Sequence, residues 1–176
     1  MRFVFAIFAL LLAPATLACD TDPVEMLRKL ETGSPRDLIA KWWDGGRCEL
    51  LLLDGLGSGK PNWLHLALSL RRHTDAWASE SLAIALGDAM LHAPSRVLPL
   101  LGSDGLDTHI CFPWDFDDSD EGLRRTLRAL PQAIRMFDSF KGTKLAANAK
   151  SCADDLRGAL DRLKTANAPD DAHGPN

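Results

Sequence analysis

The chain has 176 residues, of which 46 % are apolar and 25 % charged, with a formal net charge of −4. That composition fits one globular domain with a real core, and the length is too short for two comfortable domains. An acidic chain of this kind offers little basic surface, so nucleic acid is not among its expected partners.

The N-terminal residues specify a compartment. Arg2 gives a basic start, Phe3 to Leu12 form an unbroken apolar run, Pro14 breaks it, and Thr16-Leu17-Ala18 supplies small residues where a signal peptidase reads. The run is too short to cross a bilayer of roughly 30 Å as a helix, so residues 1–18 are predicted to be a secretory signal peptide. The mature chain, residues 19–165 plus a tail, is then expected outside the cytoplasm, periplasmic or secreted. No later apolar stretch reaches spanning length, the best being Leu50–Leu53, so no transmembrane segment is expected after signal cleavage.

Export makes Cys19, Cys48, Cys111 and Cys152 disulfide candidates. Cys19 directly follows the cleavage site, which raises a lipid anchor at Cys19 as an alternative. A lipoprotein signal wants an aliphatic residue three places earlier, and Thr16 stands there; lipidation would also leave Cys48 unpaired. With Cys19 lipidated, Asp20 would resemble the signal that retains some bacterial lipoproteins in the inner membrane. Four cysteines allow three connectivities, and spacing does not choose among them. The favoured arrangement takes Cys111–Cys152 as the firmer bridge and Cys19–Cys48 as the second. The first closes a loop of about 41 residues, worth on the order of 4 kcal/mol in the chain-entropy account. No pair has C-x-x-C spacing, so a thioredoxin-type or zinc-knuckle site is unsupported.

Helices are predicted throughout. Asp22-Pro23-Val24-Glu25 and Ser34-Pro35-Arg36-Asp37 each combine an N-cap acceptor, Pro at N1 and a carboxylate at N3. The second helix is expected to reach Trp43 before Gly45-Gly46 stops it, giving an antiparallel pair. A third covers Cys48 to about Leu53. Trp63, Leu64, Ala67, Leu68 and Leu70 recur at helical spacing up to Arg71-Arg72. After a restart at Thr74-Asp75, the apolar stripe of Leu82, Ala85, Leu86, Ala89 and Met90 runs to Pro94. A shorter helix over Ser95–Leu101 is interrupted by Pro99. This segment resembles one HEAT-like helical unit, but no second copy follows at a fixed period, and a solenoid is not supported. Gly102–Asp118 is irregular. Helix resumes near Ser119 with Leu123, Leu127, Leu130, Ile134 and Phe137, where Pro131 should kink or divide it. The last helix is expected over about Thr143–Lys164, and residues 166–176 as a disordered tail. No stretch shows sustained strand alternation. The expected fold is all-α, a single-domain helical bundle of stacked helical hairpins held by one or two disulfides.

The chemistry-bearing motifs are sparse. Asp54-Gly55-Leu56-Gly57-Ser58-Gly59-Lys60 suggests a phosphate loop, but Asp54 replaces the first Gly and Pro61 the magnesium-binding Ser or Thr; it reads as a flexible linker. Asp115, Asp117, Asp118, Asp120 and Glu121 miss the calcium-loop pattern, because a start at Asp117 puts Arg128 at the twelfth place. Carboxylates opening a helix suit its positive end. Trp114 and Phe116 alternate with these acids, so Trp114, Asp115, Asp117 and Asp118 are the candidate contact residues for a basic partner. The five histidines show no metal-binding spacing, and no cofactor is expected. There is no G-x-S-x-G; Glu80 is a conceivable general acid, and convergence of His73, Asp75 and His109 is what an envelope hydrolase would need. Trp63 and Trp77 are expected in the core. Trp42 and Trp43 cannot both face inward on one helix, since neighbours differ by about 100°. The leading expectation is an exported protein that binds another envelope or secreted protein, in the manner of an inhibitor or immunity protein. An envelope hydrolase or a lipid-anchored structural protein are the alternatives.

Overall fold

The structure is a computed structural model that describes residues 19–102, 106–114 and 119–167. The signal-peptide assignment at 1–18, the acids Asp115, Asp117 and Asp118, and the tail beyond Asn167 lie outside the described residues.

The described chain is all-helical, without strands among these residues. Helix α1 spans Pro23–Thr32, α2 Pro35–Trp42, α3 Arg47–Gly57, α4 Pro61–Leu70, α5 Ala76–His92, α6 Pro94–Val97, α7 Asp120–Asp138 and α8 Ala146–Ala166. Two 3-10 turns, Leu98–Leu100 and Thr108–Cys111, complete it. The capping devices act as their residue types dictate. Asp22 accepts a hydrogen bond from the Val24 amide with Pro23 at N1, Asp75 from Ala78, and Ser119 from Gly122, each satisfying an amide that a helix start leaves orphaned. Helix α7 runs unbroken through Pro131, so this proline does not divide it. Helix α8 runs to Ala166.

One core cluster joins all parts of the chain, from Met26 in α1 through Leu66, Leu86 and Leu98 to Phe137 and Leu156. Helices α7 and α8 pair along their length, and α3 lies along α5. α1, α2 and α4 close the other end. There Asp20 gathers three donors: Lys29 Nζ at 2.6 Å, Trp42 Nε1 at 3.0 Å and Lys41 Nζ at 3.5 Å. Burial pushes the Asp20 carboxyl up, but these hydrogen bonds and charges outweigh it and hold the group below its ordinary value.

Both disulfides form, in the favoured pairing: Cys19–Cys48 and Cys111–Cys152. The sulfur of Cys19 is thereby committed, and a thioether-linked lipid needs the same atom. Cys111–Cys152 is fully buried and bolts the Thr108–Cys111 turn to α8.

Three local expectations are corrected. The segment read as a flexible linker is helical to Gly57, and its glycines are packing devices. A Cβ at Gly55 would lie 2.5 Å from the Trp63 ring, so the missing side chain is where that ring sits. Only Gly59, at φ +64°, uses glycine's conformational freedom, turning the chain into α4. Secondly, Trp42 and Trp43 are both buried, at 2 % and 6 % exposure. The 100° rule does not separate them because α2 ends at Trp42, and Trp43 leaves the helix with φ −97° and ψ 67°. Thirdly, Trp77 is 51 % exposed, in the first turn of α5 and outside the core.

The chain-entropy account assigns each disulfide on the order of 4 kcal/mol, slightly more to the longer loop. Urea titrations of Cys111→Ala/Cys152→Ala and Cys19→Ala/Cys48→Ala are expected to show the larger loss for the first pair. Its removal also opens a cavity at the centre of the core.

Candidate functional site

Helix α5 contributes side chains to two surface recesses. On one side, the loop 106–114 comes down against it. Gly87 permits this approach, since a Cβ there would lie 2.5 Å from Pro113 N and 2.6 Å from the Phe112 carbonyl carbon. Those are backbone atoms, which cannot rotate aside. The Cys111–Cys152 bond holds the same loop from behind.

Between α5 and this loop lies a cleft of about 440 Å3. Leu82, Leu86, Ile110 and Phe112 contribute apolar lining, and Trp114 adds a half-buried aromatic wall. Trp114 meets Phe112 edge to face, with ring centroids 5.2 Å apart, a favoured aromatic geometry. Arg71, Ser79, Glu80, Asp107 and His109 supply polar groups. Ser79 Oγ shares a 2.8 Å hydrogen bond with Thr74 Oγ1. An apolar recess with a few polar groups is the general form of a binding site.

The second feature is a groove of about 480 Å3 between α3 and α5, lined by Leu53, Asp54, Gly57, Ser58, Ser81, Ile84, Ala85, Asp88 and His92. Gly57 faces Asp88 and Ala85, and Gly59 faces Ala89 and Ala93, so the two helices run in the same direction. Burial pushes the Asp88 carboxyl above its ordinary value, partly offset by the charge of His92.

Of the contact residues read from the sequence, Trp114 reaches the cleft. Asp115, Asp117 and Asp118, and Phe116 with them, lie outside the described residues. Asp120 and Glu121 occupy the first turn of α7, at its positive end, and Glu121 pairs with Arg124 and Arg128. Among the described residues, no group of three or more His, Cys, Asp or Glu side chains is placed to hold a metal ion. The convergence required of a hydrolase does not form in the cleft. His109 and Glu80 line it, but His73 and Asp75 do not. The Asp75 carboxylate is occupied in capping α5. The residue that sequence reasoning missed is Gly87, whose signal was an isolated glycine inside an apolar helical stripe.

Gly87→Ala is expected to force the 106–114 loop off α5, with overpacking that destabilises by roughly 1–3 kcal/mol. The alanine's helix propensity would offset only part of this. Thermal melts and the near-ultraviolet signal of the tryptophans check it.

Asp88 gives a pH test with a defined sign. A carboxyl whose folded pKa is raised binds its proton more tightly folded than unfolded, so its contribution to stability falls as pH rises through the folded value. Asp88→Asn is therefore expected to raise Tm at pH 7 by about 2 °C and to change it little at pH 3, in a melting series across that range.

Comparison with known protein families, with curated proteins and with solved structures returned no match.

Proposed function

We propose that the protein is exported to the periplasm or beyond and acts by binding another envelope or secreted protein, as an inhibitor or immunity-type partner. The observation that carries this reading is the recess between α5 and the 106–114 loop, with apolar lining, a Trp114 wall and Arg71, Glu80, Asp107 and His109 around it. Aromatic anchors beside a desolvatable recess, ringed by charge, are the usual centre of protein interfaces. Asp115, Asp117 and Asp118 follow Trp114 in the chain and supply the acidic charge this reading assigns to a basic partner.

Compartment support is independent. The two disulfides persist in an oxidising environment, and no described helix is long and apolar enough to cross a membrane.

The test is affinity capture from an envelope extract with the oxidised domain as bait. Wild-type bait is expected to retain one stoichiometric protein. Trp114→Ala is expected to weaken retention at least about tenfold, the size of a hot-spot truncation. Reversing Asp115, Asp117 and Asp118 to lysine should weaken binding and flatten its salt dependence. No partner on a bait shown to be folded would remove the binding reading. A partner retained equally by every variant would remove this cleft from it.

A further inference from the structure

The groove on the other side of α5 has a polarity of its own. Along α3, Leu50, Leu53, Asp54 and Gly57 share one face by helical spacing; along α5, Trp77, Ser81, Ile84 and Asp88 do. Because the helices are parallel, Leu50 and Trp77 stand at the same end. Leu50 is 70 % exposed and Trp77 51 %, large apolar groups that burial of the core has left in water. Leu53 and Ile84, both half-buried, continue the apolar strip toward the middle of the groove.

The other end is negative. Asp54 and Asp88 line it, and no lysine or arginine does. The C-termini of α3 and α5 lie at this same end, each contributing roughly half a negative charge from its unpaired carbonyls. Helix α3 carries no basic residue in its last turn; the basic groups near this end are Arg96, which donates to the Gly59 carbonyl at 3.3 Å, and His92 in the last turn of α5. Gly57 brings Asp88 against that end, since a Cβ there would sit 3.2 Å from the Asp88 Cβ. Among the described residues, neither Asp54 nor Asp88 receives a side-chain hydrogen bond or salt bridge, and His92 is the one positive influence on Asp88. A half-buried carboxylate without a cation, placed at two helix C-termini, opposes the stability of this fold.

We propose that the α3–α5 groove seats a basic amphipathic helix of a partner protein. Its apolar side chains would lie on Leu50, Leu53, Trp77 and Ile84, and a lysine or arginine would lie between Asp54 and Asp88. The face runs from Trp77 to His92, about 22 Å at 1.5 Å per residue, which matches a helix of about fifteen residues. Helix-in-groove recognition uses this arrangement of anchors at i, i+3 or i+4 and i+7. The cation would answer both carboxylates and both helix dipoles at once. The proposal rests on the protein-binding reading but concerns the groove on the other side of α5, which shares Ile84 alone with the cleft lining, so each can fail alone.

The probe is a synthetic fifteen-residue helical peptide, cross-linked for helicity. It carries leucines at i, i+3 and i+7 and an arginine one turn beyond, with a matched peptide bearing glutamate in place of arginine. Fluorescence anisotropy against the oxidised domain is expected to show the arginine peptide binding at least tenfold more tightly than the glutamate peptide. Asp54→Asn/Asp88→Asn should abolish that discrimination, and Leu50→Ala/Trp77→Ala should weaken both peptides. Circular dichroism of each variant separates loss of binding from loss of fold.

Equal affinity for the two peptides, or discrimination unchanged by the asparagine pair, would overturn the proposal. So would no binding by a folded domain. Sedimentation showing a dimer dispersed by Leu50→Ala/Trp77→Ala would overturn it in favour of a second copy of this chain. Dependence on Trp114 in the envelope capture is read separately and stands or falls without this groove.

Discussion

The architecture depends on how the Phe112–Pro113 backbone is held. It is pressed against α5 at a residue with no side chain, while its neighbour Cys111 is bonded to Cys152 in the second turn of α8. An irregular loop gains little from its own hydrogen bonds, and its position must come from outside contacts. Here those contacts come from two sides, one steric and one covalent. The loop therefore serves as a structural wedge between the α3–α5 layer and the α7–α8 pair, and Trp114 inherits its position from that wedge. The Asn148 side chain, donating to the Leu98 carbonyl at 2.7 Å, ties α8 to the preceding 3-10 turn in the same region.

Helix α5 consequently carries two unlike duties. Ala78, Leu82, Leu86, Ala89 and Met90 make it part of the core, while Ile84 and Asp88 line surface recesses and Trp77 stands exposed. A helix selected only for stability would not keep a carboxylate half-buried beside another helix's C-terminus. Local choices that oppose the fold tend to collect at sites with another role, and Asp88 on the edge of α5 is one such choice. The buried Trp43 Nε1, which has no hydrogen-bond partner, is another and lies elsewhere, just after α2.

Most of the fold was legible in the chain. Proline at N1 behind an acceptor marks α1, and the 3.6-residue periodicity of leucines marks α4, α5 and α7. The four cysteines were legible as disulfide candidates, but which of the three pairings forms is settled by the fold. What escaped the sequence depended on partners distant in the chain or on an element's last residue. Gly55 and Gly57 look like breakers until the Trp63 ring and Asp88 are seen against them. The burial of both Trp42 and Trp43 turns on a helix ending one residue earlier than the pattern suggests. Trp77 sits one turn from buried leucines, and periodicity alone does not tell the edge of a stripe from its centre. For the site, Trp114 was legible as an aromatic beside acids. The cleft itself was not, because Arg71, Glu80 and His109 meet only through the crossing of separate segments.

The two disulfides join the first cysteine to the second and the third to the fourth, and this order bears on how the chain matures. Cysteines that pair consecutively can be oxidised one couple at a time, in the order in which the chain presents them to an oxidant. Each new thiol then finds its native partner before a competitor arrives. A vectorial oxidant suffices for such a chain, and thiol–disulfide reshuffling by an isomerase is needed only to correct errors. The N-terminal helices α1 and α2 are enclosed by the first bridge, which closes at the start of α3, before α5 has appeared. They can therefore settle around Asp20 as an early unit, and the later bridge fixes the loop and α8 onto a framework already in place.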